Sequence, residues 1–218
     1  MKTTPTELPV HLFDLGHQGD VDITLIRKML RMTPAERARH HEGWRSILRG
    51  GKTMATFMED MVRRLADEQV EFVIVGMMSA VLQGSSLATK DLDLCYRRTP
   101  DNIARLVHAL GPLDPRPRGF PADLPFVFDE RTILLGSNFT LEIGPESLDL
   151  LGVMSGVGGY EEIIDRAIEV EYGGVRVKAL ALEDLIRTKT AAGRAKDVAV
   201  LPELQALLNE KQRSKAAE

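Results

Sequence analysis

Two aspartates one residue apart, Asp91 and Asp93, are the side chains in this sequence best spaced for chemistry. They lie in Asp91-Leu92-Asp93-Leu94-Cys95-Tyr96, whose alternation of polar and apolar residues predicts a strand. Side chains alternate across a strand, so both carboxylates project from one face while Leu92 and Leu94 pack on the other. Carboxylates about 6–7 Å apart along one face can converge on a hard cation. Magnesium takes oxygen ligands and keeps waters and substrate phosphates in its shell. Two such ions about 3.5–4 Å apart can clamp an in-line phosphoryl displacement.

A second feature precedes the pair by about fifteen residues. Phe72-Val73-Ile74-Val75 is a short apolar run that predicts a buried strand, and it ends at Gly76. A glycine at a strand-to-helix turn lets a phosphate approach the backbone, where the first N–H groups of the helix point at the anion. Ser79 falls in that first turn and is a candidate hydroxyl donor. Asp91-Leu92-Asp93 alone describes a strand with one wet face; behind a strand–glycine–helix turn it describes a site.

Other chemistries find no support. There is no Gly-x-x-x-x-Gly-Lys phosphate loop, and Gly156-Val157-Gly158-Gly159 lacks dinucleotide-binding spacing. The five histidines do not pair at metal-ligand spacing, and Cys95 reads as a packed strand residue.

The elements that must position these residues can be sketched from the pattern. Residues 22–32 read as a short helix. Thr33-Pro34-Ala35-Glu36 reads as a capping box opening a second, which runs to about Leu48 and ends at Gly50-Gly51. Residues 53–68 and 77–83 show helical spacing, and Thr99 caps a helix reaching Leu110. After a proline-rich loop from Pro112 to Pro125, Ile133–Leu135, Phe139–Ile143 and Ser147–Leu151 read as strands. A short helix at 160–166 follows a glycine-rich stretch. Gly173-Gly174 joins Val170–Tyr172 and Val175–Lys178 as a hairpin. Leu182–Ala192 reads as a helix closed by Gly193, and 195–210 as the last.

The chain has 218 residues, 44% of them hydrophobic and 28% charged, within the range of soluble globular proteins. Three segments are expected: an N-terminal extension with two helices at 1–52, an α/β (α+β) domain at 53–210 with a mixed sheet flanked by helices, and a flexible tail at 211–218. A single cysteine excludes an intrachain disulfide, no stretch is apolar enough to span a membrane, and the first 20 residues lack the pattern of a secretion signal. A cytoplasmic protein is expected. Net charge is −4, but residues 27–52 hold eight basic residues against Glu36 and Glu42. Such a patch is either a solvated helix face or an attractor for a polyanion.

Val75-Gly76-Met77-Met78-Ser79, Gly84 and Thr89-Lys90-Asp91-Leu92-Asp93 together resemble the signature of the nucleotidyltransferase superfamily, with its DNA polymerase β-like fold. The Thr-x-Asp-x-Asp ending resembles its bacterial abortive-infection and toxin-like branch. The resemblance continues through Leu148-Asp149-Leu150-Leu151, similar to the strand of the family's third carboxylate. It extends to Leu182–Ile186, Lys189 and Ala192–Asp197, similar to that branch's C-terminal helix and turn. It covers about residues 54–208. Met77 stands where the family has a second glycine, and Leu87 where it often has an arginine.

The resemblance implies an enzyme that moves a nucleoside monophosphate from a nucleoside triphosphate to an acceptor hydroxyl. The implied metal is Mg2+ (or Mn2+) on Asp91, Asp93 and a third carboxylate, Asp149, with Glu142 on the preceding strand as rival. Arg187 and Arg194 share one helical face and Lys189 and Lys196 another; the branch selects Lys189 and Arg194, with Gly76 and Ser79, as nucleotide-binding residues. Asp197 could orient Arg194 or Lys196. The branch and the basic segment favour RNA as acceptor and add a cognate antitoxin as a candidate partner. The alternative is a degenerate module that binds nucleotide or a partner without turnover, which Met77 and Leu87 permit.

Overall fold

Strand Phe72–Val75 (β1) is apolar throughout and lies in the interior of a seven-stranded sheet, buried on both faces. The computed structural model describes residues 21–40, 54–121 and 123–216. The other strands are Asp91–Tyr96 (β2), Arg116–Pro117 (β3), Asn138–Ile143 (β4), Glu146–Leu151 (β5), Ile168–Tyr172 (β6) and Val175–Ala179 (β7). Their order is β3-β4-β5-β2-β1-β7-β6. The sheet is mixed: β2 runs parallel to β5 and β1 parallel to β7, while the other neighbours are antiparallel. Both parallel contacts join strands distant in sequence, as a crossover requires.

Helices cover both faces. They are Ile23–Leu30 (α1), Pro34–His40 (α2), Met54–Asp67 (α3), Gly76–Gln83 (α4), Pro100–Leu110 (α5), Glu130–Leu135 (α6), Tyr160–Ile163 (α7), Leu182–Ala192 (α8), Ala195–Val198 (α9) and Leu201–Ala216 (α10). Alternation along the strands divides the core in two. Ile74, Leu92, Leu94, Tyr96, Leu148 and Leu150 pack with Met61, Val62 and Leu65 of α3 and Ile103 and Leu106 of α5. Val73, Val75 and Cys95 pack on the other side with Ile26 of α1, Leu182, Leu185 and Ile186 of α8, and Leu204 and Leu207 of α10. Among the described residues no helix is long and apolar enough to cross a membrane.

Local signals placed most element ends. Asp22 caps α1 by accepting from Leu25 N–H at 3.0 Å. The Thr33 hydroxyl accepts from Glu36 N–H at 3.3 Å, and Glu36 accepts from Thr33 N–H at 2.8 Å, which is the expected capping box. Thr99 caps α5. Gly173 and Gly174 take φ of 64° and 79°, as the tight β6–β7 hairpin requires.

The structure corrects three sequence expectations. Ile133–Leu135 is helical: Asp129 accepts from Thr132 N–H at 2.8 Å and opens α6. A three-residue apolar run cannot tell helix from strand, and the cap decides it. The last helical stretch is divided, with α9 ending at Val198 and α10 running on to Ala216, six residues beyond the expected end. The extension is anchored where Lys211 Nζ donates to Gln83 Oε1 at 3.2 Å. The helix expected at 160–166 ends at Ile163. The expected end of the second helix near Leu48, and the hinge at Gly50-Gly51, lie outside the described residues.

Candidate active site

Asp91 and Asp93 share the face of β2 that also carries Cys95, the face towards α8. Farther along that face the side chains are apolar; at the start of β2 they are acidic. Asp93 stands beside two strands at once. It pairs with Val75, the last residue of β1, and with Asp149 of β5. The parallel register Asp93↔Asp149 therefore brings the third expected carboxylate to the same face of the neighbouring strand. Thr140 of β4 sits opposite Asp149. Glu142, the rival, is exposed and lies level with Ser147 and Asp91, one strand farther out than Asp149.

Gly76 makes room for this arrangement. Its φ is +60°, and a Cβ there would stand 1.8 Å from Asp93 Oδ2. The glycine expected to admit a phosphate is thus in contact first with a carboxylate. The Ser79 side chain points inward: it is fully buried, and its hydroxyl donates to Gly76 O at 2.8 Å. It fixes the turn that seats Asp93. Thr89, of the Thr-x-Asp-x-Asp pattern, braces the backbone of Asp91 through contacts of 3.3 and 3.4 Å.

Crowding marks the electrostatics. Burial, and then the charges of Asp149 and Asp91, push the Asp93 carboxyl up to about 7, against the pull of Lys189 and Lys196. Burial also raises Asp149, with Arg118 opposing and Asp91 adding to the rise. From the side of α8 and α9, Lys189, Lys196 and Arg194 face this acidic corner. Lys189 Nζ donates to Asp197 Oδ1 at 2.8 Å, and Arg194 Nε donates to Asp197 Oδ2. Asp197 is fully buried and held below the usual carboxylate range by these partners. One carboxylate thus orients both expected nucleotide-binding cations, and Lys196 is not its partner. Arg187 turns away to pair with Asp184 at 2.8 Å.

Arg118 was not singled out by sequence reasoning. It leaves the end of edge strand β3 and sets one guanidinium nitrogen 3.5 Å from Asp149 Oδ1 and 3.7 Å from Asp91 Oδ1. It sits in Arg116-Pro117-Arg118, where no spacing marks it.

The donor set suits a hard cation in its chemistry: carboxylate oxygens only, one of which resists ionisation through burial and the charges of the other two. Among the described residues, no three Asp, Glu, His or Cys side chains are already gathered closely enough to hold an ion by themselves. A groove of about 1040 Å3 opens elsewhere, between α3 and the β4–β5 turn, lined by Phe57, Met61, Arg64, Leu113, Ile143 and Pro145. It contains none of the three aspartates and lies on the α3 side of the sheet.

The basic N-terminal segment is partly committed to the fold. Arg37 is buried and donates to the carbonyls of Met29, Leu82 and Leu30 at 2.8, 2.5 and 3.2 Å. Arg27 pairs with Glu210 at 2.7 Å, and Arg39 with Glu59 at 3.3 Å. Arg45, Arg49 and Lys52 lie outside the described residues.

Residues 146–216 match the model of a family described as a nucleotidyl transferase of unknown function. That is the superfamily the Gly76 and Asp91-Leu92-Asp93 segments resemble. The matched stretch holds Asp149, Lys189, Arg194 and Asp197 and begins after Asp93. No curated protein matches the chain. Among solved structures it is similar to the solution structure of the antibiotic-resistance factor ANT(2'')-Ia. Identity is 14% and the TM-score 0.45, over 75% of this chain and 95% of that one.

Proposed function

We propose that this protein is a nucleotidyltransferase that moves a nucleoside monophosphate from a nucleoside triphosphate to an acceptor hydroxyl, with Mg2+ (or Mn2+) bound at Asp91, Asp93 and Asp149. The observation that carries this reading is the register of β2 and β5, which sets Asp149 level with Asp93 on the acidic face. Bound there, the metal supplies charge neutralisation and orients the reacting phosphate for in-line displacement.

The chain's own residues do the rest. Asp149, whose affinity for a proton is raised by burial, takes the proton of the acceptor hydroxyl. The acceptor oxygen then bonds to the α-phosphorus, the bond from that phosphorus to the α–β bridging oxygen breaks, and pyrophosphate leaves. Lys189 and Arg194, aimed by Asp197, hold phosphate oxygens, and the first-turn N–H groups of α4 add neutral donors. Positioning and charge complementarity supply most of the acceleration.

The test is incubation with each α-labelled nucleoside triphosphate, magnesium or manganese, and separate pools of cell RNA, protein and small molecules. A labelled product that disappears in Asp93→Asn supports the reading, and the pool that becomes labelled names the acceptor class. RNA remains the acceptor to try first, although Arg27, Arg37 and Arg39 are engaged within the fold.

One observation favours the second reading, a binding module without turnover that pairs with a partner such as a cognate antitoxin. The Ser79 hydroxyl and the space over Gly76 are both used internally, and Met77 replaces a glycine. Metal-dependent triphosphate binding with no labelled product in any pool would select it.

A further inference from the structure

Arg118 holds two of the three site carboxylates with a single nitrogen. Its contacts, 3.7 Å to Asp91 and 3.5 Å to Asp149, are long and lack the two-pronged geometry of a tight arginine–carboxylate pair. The side chain is 40% exposed, so water screens the pair and releasing it costs little. Its base is fixed, by contrast. Arg118 N–H donates to Thr140 O at 2.9 Å, and Thr140 is the residue opposite Asp149. The guanidinium can therefore swing while the chain beneath it stays in place. Its near neighbour Arg116 is committed elsewhere, donating to Leu124 O at 2.9 Å.

We propose that Arg118 competes with the metal for Asp91 and Asp149, and that metal binding frees its guanidinium to hold the phosphates of the incoming nucleotide. The proposal rests on the nucleotidyltransferase reading above. A cation held by Asp91 and Asp149 would displace the one guanidinium nitrogen that now contacts both, because like charges repel at that separation. The displaced group then stands at the rim of the site, with five N–H donors suited to phosphate oxygens. Arg118 so keeps the acidic corner neutralised until metal arrives and adds a phosphate contact only afterwards. Asp93 does not share this partner; the cations that act on it are Lys189 and Lys196.

The experiment is a manganese titration of the full chain, read by the electron spin resonance of free Mn2+, for wild type, Arg118→Gln, Arg118→Lys and Asp93→Asn. Without nucleotide, Arg118→Gln should bind Mn2+ about two- to fivefold more tightly than wild type, the strength of a half-exposed ion pair. Arg118→Lys should stay near wild type. At saturating Mn2+, Arg118→Gln should bind a non-hydrolysable triphosphate about tenfold more weakly. The two effects have opposite signs, which a merely structural arginine does not produce. Unchanged or weaker Mn2+ binding in Arg118→Gln overturns the competition, and unchanged triphosphate affinity overturns the second role. Failure of the underlying reading looks different: neither wild type nor Arg118→Gln would then bind Mn2+ better than Asp93→Asn.

Discussion

Gly76 and Asp93 share one small space: a Cβ at residue 76 would lie 1.8 Å from the Asp93 Oδ2 atom. The left-handed turn that ends β1 and the carboxylate at the centre of the site are therefore one device. Gly76→Ala must both adopt φ of +60° and push Asp93 aside. The backbone conformation alone costs about 1–2 kcal/mol. Chemical denaturation should show at least that loss, and metal titration should show weakened binding. Wild-type metal affinity in the alanine variant would refute the coupling.

The Asp93 carboxyl, pushed up to about 7, predicts two opposite pH dependences. The folded state binds this proton more tightly than the unfolded state does, so without metal the contribution of Asp93 to stability falls as pH rises from about 4 to 7. Metal must displace the same proton, so metal affinity should climb through pH 7. Thermal melts and metal titrations across pH 5–8 check both. Asp93→Asn should flatten both profiles and, at pH 8, raise stability on the order of 1–2 kcal/mol while removing any transfer activity. A variant less stable than wild type at pH 8 would show that burial and crowding of the charge do not govern Asp93.

Asp197 links α8 to α9 through Lys189 and Arg194. Asp197→Ala leaves the poorly exposed Lys189 ammonium without its partner. It should cost about 2–3 kcal/mol and weaken triphosphate binding more than Lys189→Met does, because both cations lose their aim. Calorimetric binding of a non-hydrolysable triphosphate compares the two variants. Equal losses would mean that Arg194 acts independently of Asp197.

Arg37 separates the fold from nucleic-acid binding. Its three carbonyl contacts join α1, α2 and α4, so Arg37→Gln should lower stability by about 2–4 kcal/mol. Lys28→Gln/Arg31→Gln, at exposed positions, should leave stability within about 0.5 kcal/mol. If RNA is the acceptor, the double variant should also flatten the salt dependence of RNA binding, by about one unit of slope for each phosphate that the protein no longer neutralises. An unchanged slope, with a labelled product in another pool, would remove this segment from acceptor binding.

The sequence by itself determined the mixed α/β class, the faces of the strands, the capped starts of α2 and α5, and the β6–β7 hairpin. These depend on neighbours within a few residues, where alternation, caps and glycine φ act. It also marked Asp91 and Asp93 as a pair, because period-two geometry puts both on one face whatever the rest of the chain does. The tertiary structure alone decided what surrounds them. The β2–β5 register, which sets Asp149 and not Glu142 beside Asp93, joins strands some fifty residues apart, and no local signal fixes a parallel register across such a crossover. Arg118 enters the site from the edge of the sheet, and Asp197 gathers Lys189 and Arg194 only where α8 and α9 meet. Arg37 reads in sequence as one more exposed cation, and only the meeting of α1, α2 and α4 buries it among carbonyls. Charge is carried by each residue, but partners are assigned by packing between distant segments, and that is why the carboxylates were legible and Arg118 beside them was not.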